Sequence, residues 1–242
     1  MRHLNVLLAG LLLGAPLAVV ADEDYSAVEE QIRTLAPNAQ SIAISETPID
    51  GLLMVQVMGD ILYATADGKY LIQGRLIDMK TREDLTEAAK ADVRQELLAG
   101  LDASQQITFT PEKPVYDLLV FTDIDCGYCR KLHGQMAAYN EQGIAIHYMA
   151  FPRAGIGSRS YEKAVSVWCA DDQQQAMTQA KQGADPDPLQ CQNPVAEQYQ
   201  LGKELGVTGT PALMTMSGQL IPGYVPPEQL RERLDLLAAG SK

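Results

Sequence analysis

Two cysteines placed between an apolar segment and a helical pattern constrain this chain more than any other feature. The segment 115–122 contains four consecutive apolar residues at 118–121, which is typical of a strand buried on both faces. Cys126 and Cys129 follow, then apolar residues at helical spacing as far as Gly143, and then the apolar segment 144–151. The pattern therefore predicts a strand–helix–strand unit in which the cysteine pair opens the helix.

The motif Cys126-Gly127-Tyr128-Cys129 suits thiol–disulfide exchange. Residues three apart at a helix start lie on neighbouring turns, within the distance that a disulfide spans. Free N–H groups at the helix start stabilise a thiolate, so we expect Cys126 to be exposed, acidic and nucleophilic. Cys129 lies one turn further in, so we expect it to be shielded and to resolve a mixed disulfide formed at Cys126.

Other uses of such a pair fit less well. A covalent haem site needs histidine after the second cysteine, and Arg130 stands there. A structural zinc site needs a second close pair, and the two remaining cysteines, Cys169 and Cys191, are far apart, so no metal is predicted. A static disulfide stays open as an alternative. His133 lies two helical turns from Cys126, so we interpret it as a surface or packing residue.

The first 21 residues predict a cleaved secretory signal peptide. Arg2 and His3 precede an apolar run, and small residues end at Ala21 before Asp22. A membrane anchor is the alternative, but the run over residues 4–20 is short for a spanning helix. Export to an oxidising compartment leaves three possible pairings of the four cysteines.

The net charge of −12 bears on partners. An acidic protein repels the phosphates of nucleic acids and anionic lipids, so neither is expected as a main partner.

Two unlike regions flank a helical segment in the first half of the chain. Residues 25–35 predict a helix, and residues 41–79 predict an antiparallel sheet that includes a strand over 70–78 and a hairpin turn at Gly59-Asp60. This unit of about 60 residues is marginal alone and would gain from pairing with a second copy. Residues 83–101 predict a helix, either a connection between domains or a helix packed on one of them.

The second half continues as alternating helices and strands after the cysteine unit. We predict one helix over 160–180, a loop over 181–194, a helix over 196–205, a hairpin over 212–223 and a final helix from Pro226.

Several motifs together resemble the DsbC/DsbG family of bacterial periplasmic thiol:disulfide interchange proteins. They are Phe121-Thr122-Asp123-Ile124-Asp125-Cys126-Gly127-Tyr128-Cys129, Lys131-Leu132-His133, Tyr148-Met149-Ala150-Phe151-Pro152-Arg153, Gly206-Val207-Thr208-Gly209-Thr210-Pro211, Pro222-Gly223-Tyr224, Asp67-Gly68-Lys69 and Ile72-Gln73-Gly74. The resemblance extends over nearly the whole chain after the signal peptide, and the set of motifs is far more specific than a lone cysteine pair.

The resemblance implies an α+β protein with two domains. Residues 22–82 would form a small antiparallel-sheet domain that dimerises, 83–102 a linker helix, and 103–242 a thioredoxin-like catalytic domain with a helical insertion. The homodimer would be V-shaped, with two active sites facing one cleft. Thr210 and a cis-Pro211 would bind extended substrate beside the cysteine pair.

The resemblance also implies an activity and its partners. The chain would be a periplasmic protein disulfide isomerase without a cofactor, acting on misfolded disulfide-containing exported proteins and recycled by a membrane thiol reductase of the DsbD type. By the same resemblance, Cys169 and Cys191 form a structural disulfide.

Three other activities on the same scaffold stay open. They are reduction of sulfenic acids, donation of disulfides, and a holdase chaperone activity in which Leu and Met side chains of the N-terminal sheet bind unfolded chains. The side chains considered for that surface are Leu52, Leu53, Met54, Met58 and Leu62.

One residue departs from the family pattern, which commonly has threonine where this chain has Asp125. A carboxylate beside a thiolate disfavours it, although only mildly when the carboxylate is exposed to water. The redox tuning of Cys126 is therefore left open by the sequence.

Overall fold

A computed structural model describes residues 25–39 and 41–240, which form two β-sheets joined by a helix. The predicted signal peptide at residues 1–21 lies outside these described residues. Within the described ranges, none of the helices has the length and apolar character needed to cross a membrane.

The N-terminal sheet is antiparallel throughout and has the strand order β1-β2-β3-β4. The elements are α1 (Ser26–Leu35), β1 (Ile42–Glu46), β2 (Leu52–Val57), β3 (Asp60–Thr65) and β4 (Leu71–Ile72). Along β2, half-buried and buried residues alternate, which presents one face of the sheet to a core. Helix α1 covers that face with Val28 and Ile32, which pack in one cluster with Val55.

Two expectations for this sheet are wrong. The hairpin turn lies at Met58-Gly59 rather than Gly59-Asp60, because Val57 pairs with Asp60. Met58 and Gly59 both have positive φ, 52° and 80°, which is the backbone of a two-residue turn that matches the strand twist. The strand predicted over 70–78 is reduced to the two residues of β4, because only these pair with β3.

Helix α2 (Leu85–Leu98) is shorter than the predicted 83–101 because Asp84 caps its start, accepting the N–H of Glu87. The helix joins the two sheets and also packs against the second one. Arg94, only 6% exposed, donates to the carbonyl oxygens of Leu205 at 3.0 Å and Gly218 at 3.3 Å. The helix is therefore both a connection between the two sheets and a helix packed on the second one.

The second sheet has the order β5-β7-β6-β8-β9. Its strands are β5 (Ile107–Phe109), β6 (Tyr116–Thr122), β7 (Ile144–Ala150), β8 (Ala212–Thr215) and β9 (Leu220–Pro222). The pair β6–β7 is parallel, as the strand–helix–strand prediction requires, and the other pairs are antiparallel. Strand β5 was not predicted because three residues are too few to show a periodicity.

Helices cover both faces of this sheet. They are α3 (Gly127–His133), α4 (Met136–Glu141), α5 (Arg159–Trp168), α6 (Gln173–Lys181), α7 (Val195–Glu204) and α8 (Pro227–Gly240). Alternate residues of β6 enter two separate cores: Leu118 and Val120 lie in one, Leu119 and Phe121 in the other. Burial on both faces explains the unbroken apolar run that predicts this strand.

Two helices predicted as continuous are divided. The helix after Cys126 breaks between α3 and α4 at Gly134 and Gln135. The helix predicted over 160–180 breaks after Cys169, and Asp172 starts α6 by accepting the N–H of Gln175. A side-chain cap of this kind competes with helix continuation, so α6 can turn back against the sheet.

Candidate active site

Cys126 is the N-cap residue of α3, directly after β6 and a short turn. Its sulfur accepts the backbone N–H of Cys129 at 3.4 Å and donates to the carbonyl oxygen of Thr210 at 3.2 Å. Cys126 and Cys129 are not bonded to each other, so the site is in its dithiol form. The helix start, which the sequence predicts, therefore directs an N–H group at the first sulfur.

Hydrogen bonding lowers the pKa of the Cys126 thiol from 9.0 to about 5. The largest cause is the hydrogen bond from the Cys129 side chain, helped by the Cys129 N–H and by the charge of Arg153, while burial opposes the shift. The expectation that the helix start exposes Cys126 is wrong, since the residue is 2% exposed. Its acidity therefore comes from directed hydrogen bonds rather than from exposure to water.

Cys129 differs from its partner in charge state. It is 1% exposed, and burial raises the pKa of its thiol, helped by the hydrogen bond that it makes with Cys126. The charge of Lys181, the Asp123 N–H and the Thr122 side chain lower the pKa, but not enough to offset the burial. The pair thus contains one thiolate and one thiol at neutral pH, an arrangement suited to attack by the first and delayed attack by the second.

The peptide bond between Thr210 and Pro211 is cis. It precedes β8, and the Pro211 carbonyl accepts the N–H of Gly223 at 2.9 Å. The Thr210 hydroxyl is buried and has no hydrogen-bond partner among the residues that the structure describes. The structure therefore brings Thr210 and Pro211, distant in sequence, against Cys126.

Gly127 and Tyr128 lie on the outer side of the pair. Among the described residues, no atom beyond the neighbours of Gly127 and the backbone of its own helix lies within 4 Å of the position where a Gly127 Cβ would stand. Tyr128 is 64% exposed and stacks on Tyr224 with 6.3 Å between ring centroids, and the Lys131 ammonium lies 4.5 Å from the Tyr224 ring. An open backbone and an exposed aromatic surface therefore flank the reactive sulfur.

Two cations balance the carboxylate of Asp125. Arg130 contacts it at 3.3 Å and Lys163 at 2.9 Å, and Lys163 also pairs with Asp185 at 2.7 Å. A neutralised carboxylate has a weaker effect on the adjacent Cys126 thiolate than an isolated one. Sequence reasoning missed this pairing because Lys163 lies 38 residues away.

Asp123 fixes the turn between β6 and α3. Its carboxylate is 3% exposed and accepts the N–H groups of Asp125 and Arg153 and the Nε–H of Arg153, the last at 3.0 Å. This contact also brings the Arg153 charge toward Cys126. Asp123 and Arg153 lie in two different motifs of the family resemblance, but no role was predicted for either residue from the sequence.

His133 is buried and packs as expected. Its ring nitrogens contact the hydroxyl groups of Tyr148 and Thr178, both at 3.1 Å. Burial lowers the pKa of His133 to about 4, so the ring is neutral at physiological pH.

Cys169 and Cys191 form a disulfide that ties the end of α5 to the loop before α7. Within the described ranges, no group of three or more histidine, cysteine or carboxylate side chains is arranged to hold a metal ion.

Comparison with known proteins gives two family matches. Residues 19–87 match the disulfide bond isomerase protein N-terminal domain, and residues 102–238 match a thioredoxin-like domain. The two matched segments together span most of the chain and leave residues 88–101 between them, which are most of α2 and the three residues after it.

Individual relatives are similar over nearly their whole length. The thiol:disulfide interchange protein DsbC of Dickeya dadantii is 37% identical, covering 96% of this chain and 95% of the relative. The protein of the same name from Escherichia coli is 36% identical over 89% of each chain. A solved disulfide interchange protein from Neisseria gonorrhoeae matches with a TM-score of 0.49 and 29% identity, covering 56% of this chain and 96% of that one.

Proposed function

Since this chain belongs to the DsbC family of thiol:disulfide interchange proteins, we propose that it isomerises wrong disulfides in exported proteins through a mixed disulfide at Cys126. The observation that carries the assignment is the difference between the two thiols. Cys126 has a pKa of about 5, whereas burial keeps Cys129 protonated. The first sulfur is therefore the nucleophile, and the second is the resolving thiol.

The reaction begins when the Cys126 thiolate attacks one sulfur of a substrate disulfide. A new S–S bond forms between Cys126 and the substrate, and the other substrate sulfur leaves as a thiolate. In isomerisation, a substrate thiolate attacks elsewhere in the substrate and finally displaces Cys126, so no net oxidation occurs. In reduction, Cys129 displaces the substrate, which leaves with both sulfurs reduced, while Cys126 and Cys129 become a disulfide.

The second outcome requires a reductant, because two electrons have passed to the substrate. A membrane thiol reductase of the DsbD type would return them to the Cys126–Cys129 disulfide. The neutralised Asp125 supports this cycle, since Arg130 and Lys163 offset the charge that would otherwise disfavour the Cys126 thiolate.

Substrate would lie along the surface formed by Thr210, Pro211 and the open side of the cysteine motif. The Thr210 hydroxyl is a buried polar group without a partner among the described residues, which supports its use by an incoming peptide. Gly127 leaves room beside Cys126, and the exposed ring of Tyr128 offers apolar contact without sequence preference. These features suit a varied set of misfolded chains.

The protein is proposed to act as a homodimer formed through the N-terminal sheet. Strand β4 pairs on one side only, with β3, so among the described strands its outer edge is unpaired. Five apolar side chains at or after this edge are between 44% and 91% exposed: Tyr70, Leu71, Ile72, Ile77 and Met79. A second copy placed on this edge would bury them and would direct two Cys126 sites at one substrate.

The proposed compartment is the periplasm, reached through a signal peptide at residues 1–21. We further propose that 22–82 form the dimerisation domain, 83–102 the linker helix and 103–242 the catalytic domain. The Cys169–Cys191 disulfide supports an oxidising location, because such bonds persist there.

Refolding of a scrambled multi-disulfide protein by the reduced mature chain tests the proposal. Wild-type protein should restore native disulfides, and Cys126→Ser should restore none, because no mixed disulfide can form. A variant with serine at both Cys126 and Cys129, assayed for suppression of aggregation, separates isomerase from holdase activity. Refolding by Cys126→Ser at the wild-type rate would show that the activity does not use this sulfur.

A further inference from the structure

A lysine side chain lies buried beneath the cysteine pair. Lys181, the last residue of α6, is 4% exposed. Its Nζ donates to the Thr122 hydroxyl at 2.7 Å and to the Asp123 carbonyl oxygen at 2.8 Å. Both contacts are with uncharged atoms, and none of the ion pairs formed by the described residues includes Lys181.

A buried ammonium without a carboxylate contact is costly, so such a lysine tends to lose its proton. The nearby carboxylate of Asp123 is already bound by Arg153 at 3.0 Å. Burial accordingly lowers the pKa of Lys181 to about 8. A useful fraction of neutral amine therefore exists near neutral pH, which is not true of an ordinary surface lysine.

Thr122 connects this amine to the resolving thiol. The Thr122 hydroxyl accepts from Lys181, and the same side chain lowers the pKa of Cys129, so it interacts with both groups. Thr122 therefore offers a path from the Cys129 thiol to the Lys181 nitrogen. The path is enclosed, since all three residues are no more than 4% exposed.

We propose that Lys181 is a positioning residue for the resolving step, taking up through Thr122 the proton that Cys129 loses. The inference rests on the proposed role of Cys129 as the resolving thiol. Removal of the Cys129 proton requires a base inside the protein, because burial raises the pKa of this thiol and water cannot reach it.

The S–H bond of Cys129 breaks and its proton passes to the Thr122 oxygen, while the Thr122 proton passes to the neutral amine of Lys181. The Cys129 thiolate attacks Cys126, a Cys126–Cys129 bond forms, and the substrate sulfur leaves as a thiolate with the bonding electron pair. Lys181 ends as an ammonium, which later returns the proton when the pair is reduced.

Charged and titratable groups on α3, in the turn before it and on β7 face Lys181. These are Cys129, Arg130 and the neutral His133 on α3, Asp123 and the N-cap residue Cys126 before it, and Tyr148 on β7. The cysteines and Asp123 raise the pKa of Lys181, and Arg130 lowers it, but burial is the dominant cause of the shift. A thiolate forming at Cys129 therefore favours the ammonium, which couples the two proton positions.

The test separates attack by Cys126 from closure by Cys129. Reduced mature protein is mixed with glutathione disulfide at a series of neutral and alkaline pH values and quenched in acid. Mass spectrometry then measures the dithiol, the glutathione mixed disulfide and the closed Cys126–Cys129 form. For the wild type, the closure rate should rise with pH to a plateau, with a midpoint near the Lys181 pKa of about 8.

In Lys181→Met, closure should slow roughly tenfold or more, the lower range of proton-transfer effects, and the midpoint near pH 8 should disappear. Formation of the mixed disulfide depends on Cys126 and should change by less than about threefold, well below the effect on closure. Lys203→Met, at an exposed lysine of α7, is the matched control and should behave as wild type.

Thr122 supplies a second pair of variants that keep the lysine in place. Thr122→Val removes the hydroxyl at nearly constant volume and should slow closure, whereas Thr122→Ser retains it and should close like wild type. Wild-type closure with an unchanged pH profile in Lys181→Met or Thr122→Val would overturn the inference, as would slow closure in Thr122→Ser. If wild-type protein forms no mixed disulfide at all, the proposed function itself fails.

Discussion

The backbone N–H of Cys129 points at the sulfur of Cys126 over 3.4 Å, within a helix that the two residues begin together. The same geometry that lowers the pKa of the Cys126 thiol holds Cys129 one turn deeper, where burial raises its pKa. One local arrangement thus produces two cysteines of opposite protonation state.

The first prediction concerns alkylation. With a pKa of about 5, Cys126 should react with iodoacetamide at a nearly constant rate above that pH, and the rate should fall as the pH drops through it, because the thiolate is protonated. Cys129 should stay unlabelled over short times at neutral pH. Mass spectrometry of peptides from briefly labelled, reduced protein measures both. Faster labelling of Cys129 would reverse the two roles.

The second prediction concerns trapping. A Cys129→Ser variant should accumulate mixed disulfides with exported proteins, since the resolving thiol is gone while the acidic Cys126 remains. Non-reducing gels of extracts from cells that export the variant should show adducts that disappear on reduction. The double variant with serine at both Cys126 and Cys129 is the control and should show no adducts. A Cys129→Ser protein free of adducts would argue against exchange through Cys126.

The third prediction concerns the two cysteine pairs. Cys169–Cys191 should stay oxidised in buffers that fully reduce Cys126 and Cys129, because a structural bridge has a lower reduction potential than an exchanging one. Replacing both Cys169 and Cys191 with serine should lower the free energy of unfolding by on the order of 3 kcal/mol, as expected for a loop of this length. Denaturant unfolding measures the loss. Reduction of both pairs at the same potential would contradict a structural role.

The fourth prediction concerns the edge of the N-terminal sheet. Ile72→Lys places a charge on the unpaired edge of β4 and should convert a dimer to monomers in sedimentation experiments. The monomer should keep simple disulfide reductase activity but lose most isomerase activity, because one site cannot retain a substrate through several exchanges. Leu236→Lys, at a leucine 74% exposed on α8, is the matched control. An unchanged sedimentation coefficient for Ile72→Lys would place the interface elsewhere.

The fifth prediction concerns the contact between α2 and the second sheet, at the turn between β8 and β9. A Cβ on Gly218, which has φ +80°, would lie 2.0 Å from the Ala91 carbonyl oxygen, so Gly218→Ala must displace the helix backbone. Gly157 has a similar φ of +79°, and its Cβ position has no described atom within 4 Å beyond its chain neighbours, so Gly157→Ala measures the backbone strain alone. Thermal or denaturant unfolding should show a greater loss for Gly218→Ala, by on the order of 2 kcal/mol. Equal losses would mean that α2 is not held there.

The sequence by itself determined the central unit of this protein. The apolar run of β6, the cysteine motif and the helical spacing after it lie within about 25 residues of one another, and their interactions are local. Hydrophobic periodicity reports such local structure directly, and a helix start acts on the residue that caps it. The identity of the reactive pair and the parallel pairing of β6 with β7 were therefore predictable.

Only the tertiary structure decided what surrounds that unit. Lys181 was predicted to start a loop, yet it ends α6 and reaches Thr122, 59 residues earlier in the chain. The Arg94 contact with Leu205 spans 111 residues, and the Cys126 sulfur contacts the carbonyl oxygen of Thr210, 84 residues away. Burial and electrostatics at these positions depend on which distant side chains the fold brings together. The hydrophobic periodicity of the sequence does not report these distant contacts.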